Sequence, residues 1–211
     1  MTRWFLCAAP LFCVMLPNML SAQSYSVGDR VVVIRESPIS LPEGQVDDAF
    51  IGQVLQVGAL NGKWLWVAGG RPGWLDSSSV VPLDRRAIDR LTELIRAEPR
   101  NANLYYGRAI VWRELGEMEI AMGDYNEAIR LRPEKAAFFN SRGVAWQNKG
   151  EYDKAIADYN EAVRLNPKNE AAYVNRGSAW ADKGEYDKAI DDFSEALRRV
   201  LKGRLAWRES G

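Results

Sequence analysis

Residues 136–169 read AAFFNSRGVAWQNKGEYDKAIADYNEAVRLNPKN, and residues 170–203 read EAAYVNRGSAWADKGEYDKAIDDFSEALRRVLKG. Sliding the chain against itself by about 34 residues aligns Trp112, Trp146 and Trp180, and likewise Tyr125, Tyr159 and Phe193. Ala121, Ala155 and Ala189 keep the same register, as do Ala128, Ala162 and Ala196. A period in this range marks a stacked-repeat architecture, in which each unit buries its apolar face only against its neighbours.

Within the middle unit the residues fit a pair of helices. Phe139, Gly143 and Trp146 fall on one face of a first helix, and Gly143 is small where a neighbour must come close. Ala155, Tyr159 and Ala162 form the inner face of a second helix, two small residues flanking one ring. Gly150 stands where the first helix ends in a left-handed residue, and Pro167 stops the second because it restricts Asn166 and has no backbone N–H. Leu201 replaces the proline found at Pro133 and Pro167, so the last helix is expected to run on. The three tryptophans are expected to pack in the core. The charged stretch from Glu151 to Asp158 reads as a solvated face with near-neighbour pairs such as Lys154 with Asp158.

With that period and these residues, the segment resembles the tetratricopeptide repeat (TPR) family. Three full units span 102–203, a half unit or junction helix spans 84–101 (Ala87, Leu91, Leu94, Pro99), and a C-terminal tail follows at 204–211. The resemblance implies a superhelix of antiparallel helix pairs whose concave face, lined by the first helices, holds a protein or extended peptide. Its lining positions carry Asn103, Tyr106 and Arg113, then Asn140, Ser141, Gln147 and Asn148, then Asn175, Ser178 and Asp182. The set is amide-rich and close to neutral, which suits peptide backbone because an amide both donates and accepts. The resemblance also implies that Asn175 holds ligand backbone, while Ser141 and Gly107 stand at the matching places. Tyr106, Asn140 and Val174 occupy the fifth positions of the units, so the lysine and asparagine clamp of some chaperone-binding members is missing.

Upstream, 24–83 is rich in Val, Gly and Trp. Short runs at 30–35, 52–57, 63–67, 73–75 and 80–81 read as strands, with a hairpin signal at Asn61-Gly62. About sixty residues with five short strands suit a small barrel. The order Val27-Gly28-Asp29, then Asn61-Gly62-Lys63-Trp64, then Gly73-Trp74-Leu75, resembles bacterial SH3-like domains. The expected fold is therefore multidomain: a small all-β SH3-like barrel followed by an all-α TPR superhelix. Alternation puts Leu65 and Val67 on one face and Trp64 and Trp66 on the other. Two readings are open for those rings: with Trp74 they form an aromatic surface for a ligand, or they seal the junction with the first helix, which is slightly favoured.

Lys and Arg number 28 against 28 Asp and Glu, so no basic field for nucleic acid exists. Residues 1–22 carry Arg3, an apolar run from Trp4 to Leu16 and a small-residue end, the layout of a signal peptide. Export to the periplasm or exterior is expected, with no membrane insertion after cleavage. Both cysteines, Cys7 and Cys13, leave with that segment, and the chain contains no His. The remainder can then form neither a disulfide, a Cys/His metal site nor a nucleophile-histidine triad. No catalytic residue, metal or cofactor is expected. A hydrolase built on paired carboxylates would need two acids set apart from the repeat faces. The only adjacent pair outside them is Asp47-Asp48, and it reads as a solvated turn. The expected function is a non-catalytic exported scaffold binding a protein or peptide, with the barrel capping the array or touching a second partner. The alternative is recognition of cell-wall peptidoglycan or glycan by the barrel. Self-association through the C-terminal end is a further expectation, since only Leu205 and Trp207 are at hand to cover it.

Overall fold

The computed structural model describes residues 25–40, 46–51, 53–68 and 72–209; the signal segment expected at 1–22 lies outside them. The N-terminal domain has β1 (Arg30–Val33), β2 (Ser37–Ser40), β3 (Val46–Ala49), β4 (Val54–Asn61), β5 (Trp64–Ala68), β6 (Gly73–Asp76) and β7 (Val80–Pro82). Every pairing is antiparallel and the strand order is β3-β2-β6-β5-β4-β1-β7. Inner-face residues of all seven strands, from Val31 and Leu55 to Leu75 and Val80, share one core, so the sheet curls round on itself.

The five expected strands are present, and a hairpin of two more lies between the first two of them. Asp47 and Asp48, expected in a solvated turn, sit in β3 opposite Ile39 and Pro38. The strand expected at 52–57 runs instead to Asn61, because a register shift between Val57 and Ala59 absorbs Gly58 and lets pairing with β5 continue. Its turn is Gly62-Lys63 rather than Asn61-Gly62, since Asn61 still pairs with Trp64 and only Gly62 takes positive φ.

Seven helices follow: α1 (Arg85–Ala97), α2 (Ala102–Glu114), α3 (Met118–Leu131), α4 (Ala136–Asn148), α5 (Tyr152–Leu165), α6 (Glu170–Asp182) and α7 (Tyr186–Glu209). Gly116, Gly150 and Gly184 have φ of 85°, 75° and 85°. At each, the glycine N–H and the next N–H return to the end of the helix before, as when Gly150 donates to the Gln147 carbonyl and Glu151 to that of Trp146. This closes the helix through a left-handed residue. Gly143 is small for the expected reason, since a Cβ there would sit 2.7 Å from the Tyr159 ring. The tail expected at 204–211 continues α7 as far as Glu209, because Leu201 offers no block where proline ended α3 and α5.

The junction corrects the tryptophan reading. Val31, Val32 and Val33 are all buried, so β1 is covered on both faces. Val31 and Val33 enter the barrel core, while Val32 and its cross-strand neighbour Val81 turn outward to meet Ala87, Ile88 and Leu91 of α1. Aliphatic residues make the centre of this seal, with Tyr105 and Trp112 of α2 packed against them, and Trp64, Trp66 and Trp74 take no part in it.

The charged stretch from Glu151 to Asp158 is not solvated throughout. Asp158 does not pair with Lys154; it is buried and accepts two hydrogen bonds from Arg142, at 2.8 and 2.6 Å. Lys154 turns to Glu151 and to the Trp146 face. Arg108 with Asp124 and Arg176 with Asp192 repeat the bidentate pair. Each arginine also donates to the second helix of the preceding unit, to Thr92, Asn126 and Asn160 in turn. One guanidinium therefore joins three helices, and its planar fork matches the carboxylate. The repeat tryptophans are half-buried: lysines lie over the rings of Trp146 and Trp180, two on each.

Candidate peptide-binding groove

The first helices, α2, α4 and α6, lie side by side, and residues one repeat plus one apart meet across them. Tyr106 and Ser141 share a hydrogen bond of 3.0 Å. Asn175 donates to Asn140 at 3.1 Å, and Gln147 donates to Asp182 at 2.6 Å. Gln147 also accepts from the Tyr159 hydroxyl at 2.9 Å, which fixes its amide. Once Asn140 and Asn175 are bonded to each other, their two amides still offer N–H donors and an acceptor. That is the complement of a peptide group. Beside them Ser178 is half-buried, and Asn148 and Val174 are exposed.

Two expected lining residues are committed elsewhere. Arg113 donates to Glu114, which also accepts from Arg30 of β1, so Arg113 belongs to an ion chain between the domains. Burial alone would raise the Glu114 carboxyl, but the hydrogen bonds and charges of Arg30 and Arg113 outweigh it and hold the group below its ordinary range. Asn103 donates to Glu36 at 3.1 Å, again toward the β domain. No sequence signal marks Glu36 or Arg30, because each reaches its partner across more than sixty residues of chain.

Arg113 stands where the next unit has Gln147, and this changes its surroundings. The Tyr125 hydroxyl, matching that of Tyr159, is buried with no hydrogen-bond partner, although Arg113 lies near it. Burial pushes the hydroxyls of Tyr106, Tyr125 and Tyr159 up, so all three stay protonated at neutral pH.

A second surface lies on the β domain. Leu65 and Val67 are buried while Trp64 is exposed and Trp66 half-buried, as the alternation requires. Trp66 and Trp74 are cross-strand neighbours in edge contact, with ring centres 5.4 Å apart. Lys63, bonded to Asp76, lies over the Trp64 ring at 4.9 Å. Among the described residues no cluster of three or more acids could hold a metal ion, and no helix is long and apolar enough to cross a membrane.

Stacked helix pairs closed by glycine and tied by one repeated Arg–Asp bridge define a protein-interaction repeat. The family model of the tetratricopeptide repeat matches residues 85–136, 119–170 and 142–200, and the chain belongs to that family. No curated protein matches it by sequence. Among solved structures it is similar to a crystal structure of MamA, at 28% identity and a TM-score of 0.55, covering 57% of this chain and 70% of that one. A second crystal structure of MamA protein has 28% identity and a TM-score of 0.53 over 56% of this chain and 64% of that one. MamA 41-end from Desulfovibrio magneticus RS-1 shares the fold at 17% identity, with a TM-score of 0.53 over 56% of this chain and 67% of that one.

Proposed function

We propose that the protein is a non-catalytic adaptor, exported to the periplasm or exterior, which holds an extended peptide segment of a protein partner along α2, α4 and α6. The observation that carries this reading is the Asn140–Asn175 amide pair, with donors and an acceptor left over beside exposed Val174 and Asn148. The β domain sets one end of the groove through Glu36 on Asn103 and Arg30 on Glu114. The test compares capture from cell-envelope extract by the wild type and by Asn140→Ala/Asn175→Ala, with thermal melting as a control for folding. A partner held by the first and lost by the second, at similar melting temperature, supports the groove. Equal capture refutes it.

A second reading is favoured by the Trp66–Trp74 pair and by Trp64, which take no part in the junction. Rings presented on one sheet surface suit sugar faces, so the β domain would contact cell-wall glycan. Quenching or shift of tryptophan fluorescence by soluble peptidoglycan fragments, abolished in Trp64→Ala/Trp74→Ala, tests it. An unchanged signal in that variant rejects it.

A further inference from the structure

We infer that the outer face of α7 is the contact surface for a second copy of this chain, the two α7 helices crossing antiparallel about a two-fold axis. Tyr186, Ile190, Phe193, Leu197, Val200 and Leu201 recur at helical spacing along one face, and Tyr186, Ile190 and Leu197 are 67%, 61% and 60% exposed. One repeat earlier, the residues matching Ile190 and Phe193 are Ile156 and Tyr159, which are 4% and 0% exposed because α6 covers them. Hence α7 carries an apolar stripe whose centre, at Ile190 and Phe193, lacks the cover that Ile156 and Tyr159 have one repeat earlier. A contiguous exposed apolar stripe of this kind marks a contact surface.

Two observations select a second α7 as the cover. The first is length. A further repeat unit would offer a first helix like α4 or α6, of 13 residues, whereas α7 has 24 and runs past the place where α3 and α5 stop. Val200 and Leu201 extend the stripe into that added part, so a partner helix of similar reach covers it best. The second is charge. Asp192 is taken by Arg176, and Glu195 by Arg198 and Arg199; the exposed charges beside the stripe are Asp187 and Asp191 in the first half of the helix and Arg198 and Lys202 in the second. A parallel pair would set like ends together. An antiparallel pair sets the acidic half of each copy on the basic half of the other, with Asp187 near Lys202 and Asp191 near Arg198. Such a contact is isologous and closes at two copies. A contact built on a single helix face is small beside the roughly 800 Å² per partner of a standard interface, so a reversible association is the one to test.

The experiment is sedimentation equilibrium of the whole protein from about 1 to 100 μM, a range that detects dissociation constants of roughly micromolar order or tighter. The expected mass doubles across the range. Ile190→Glu/Leu197→Glu, both at exposed sites, is expected to stay monomeric with an unchanged melting curve. Asp187→Lys/Asp191→Lys and Arg198→Glu/Lys202→Glu are each expected to lose self-association, and an equimolar mixture of the two to recover a dimer. A monomer at every concentration, open-ended growth in mass, or a mixture that stays monomeric would each overturn the inference. α7 contributes no groove residue, so this result and the peptide-capture result are independent.

Discussion

Replacing Asp158 by alanine removes both hydrogen bonds that hold the Arg142 fork, at 2.8 and 2.6 Å, and leaves that guanidinium with only its bond to Asn126. Breaking a fully buried pair from one side costs about 3–5 kcal/mol, because the surviving charge stays desolvated. Here the Arg142 side chain is 21% exposed and Asp158 8%, so water can reach part of the orphaned group. The expected loss is about 2–3 kcal/mol. For a chain of this size it lowers the melting temperature by roughly 5–10 °C. Lys154→Ala is the matched control. It removes an exposed pair with Glu151 and a contact with the Trp146 face, together worth about 1 kcal/mol or less. Urea and thermal unfolding of both variants, followed by circular dichroism, measure the difference. Equal shifts for Asp158→Ala and Lys154→Ala would refute the buried bridge and restore the solvated charged face. A third variant, Arg142→Met/Asp158→Leu, is expected to recover most of the loss, since it strands no charge.

Tyr125→Phe is expected to leave stability unchanged or slightly raised, because its hydroxyl is buried and unpartnered, whereas Tyr159→Phe loses about 1 kcal/mol with its bond to Gln147; equal effects in urea melts would contradict the pairing. Gly150→Ala forces an alanine to φ of 75° with nothing nearby to clash, so a loss of about 1–2 kcal/mol measures backbone strain alone. Glu114 has its carboxyl held below the ordinary 4.5, so its stabilising contribution is complete above that value and fades as pH falls through the lower, folded one. Glu114→Gln is therefore expected to flatten the fall in melting temperature below about pH 4.5, and an unaltered acid limb would remove the ion chain from the account.

The helical half was legible because its signals are local and recur. Gly150 and Pro167 act on residues one or two away, and the shift of 34 repeats the message three times. Even the Arg–Asp bridge left a trace, since Arg108, Arg142 and Arg176 and their aspartates keep that register. It read as solvated charge because helical spacing shows near neighbours on one helix, and Arg142 lies sixteen residues from Asp158 on another. Of the candidate groove residues, Asn140, Asn175, Ser141, Tyr106, Gln147 and Asp182 come together across helices. Arg113 and Asn103 are drawn off by Arg30, Glu114 and Glu36, whose approach depends on how the β domain docks.

Legible from the order of residues alone were the repeat, the helix ends, the small residues at close crossings and the alternation that turns Trp64 and Trp66 outward. These follow from backbone geometry and short-range sterics, which a residue carries wherever its segment ends up. Packing between distant segments settles that Val32 and Val81, rather than Trp64, Trp66 or Trp74, seal the junction, that Asp158 is buried, and that Ile190 is bare where Ile156 is covered. Those outcomes depend on which neighbour arrives from elsewhere in the chain. Identical residues one repeat apart meet different neighbours at the middle and at the end of the array.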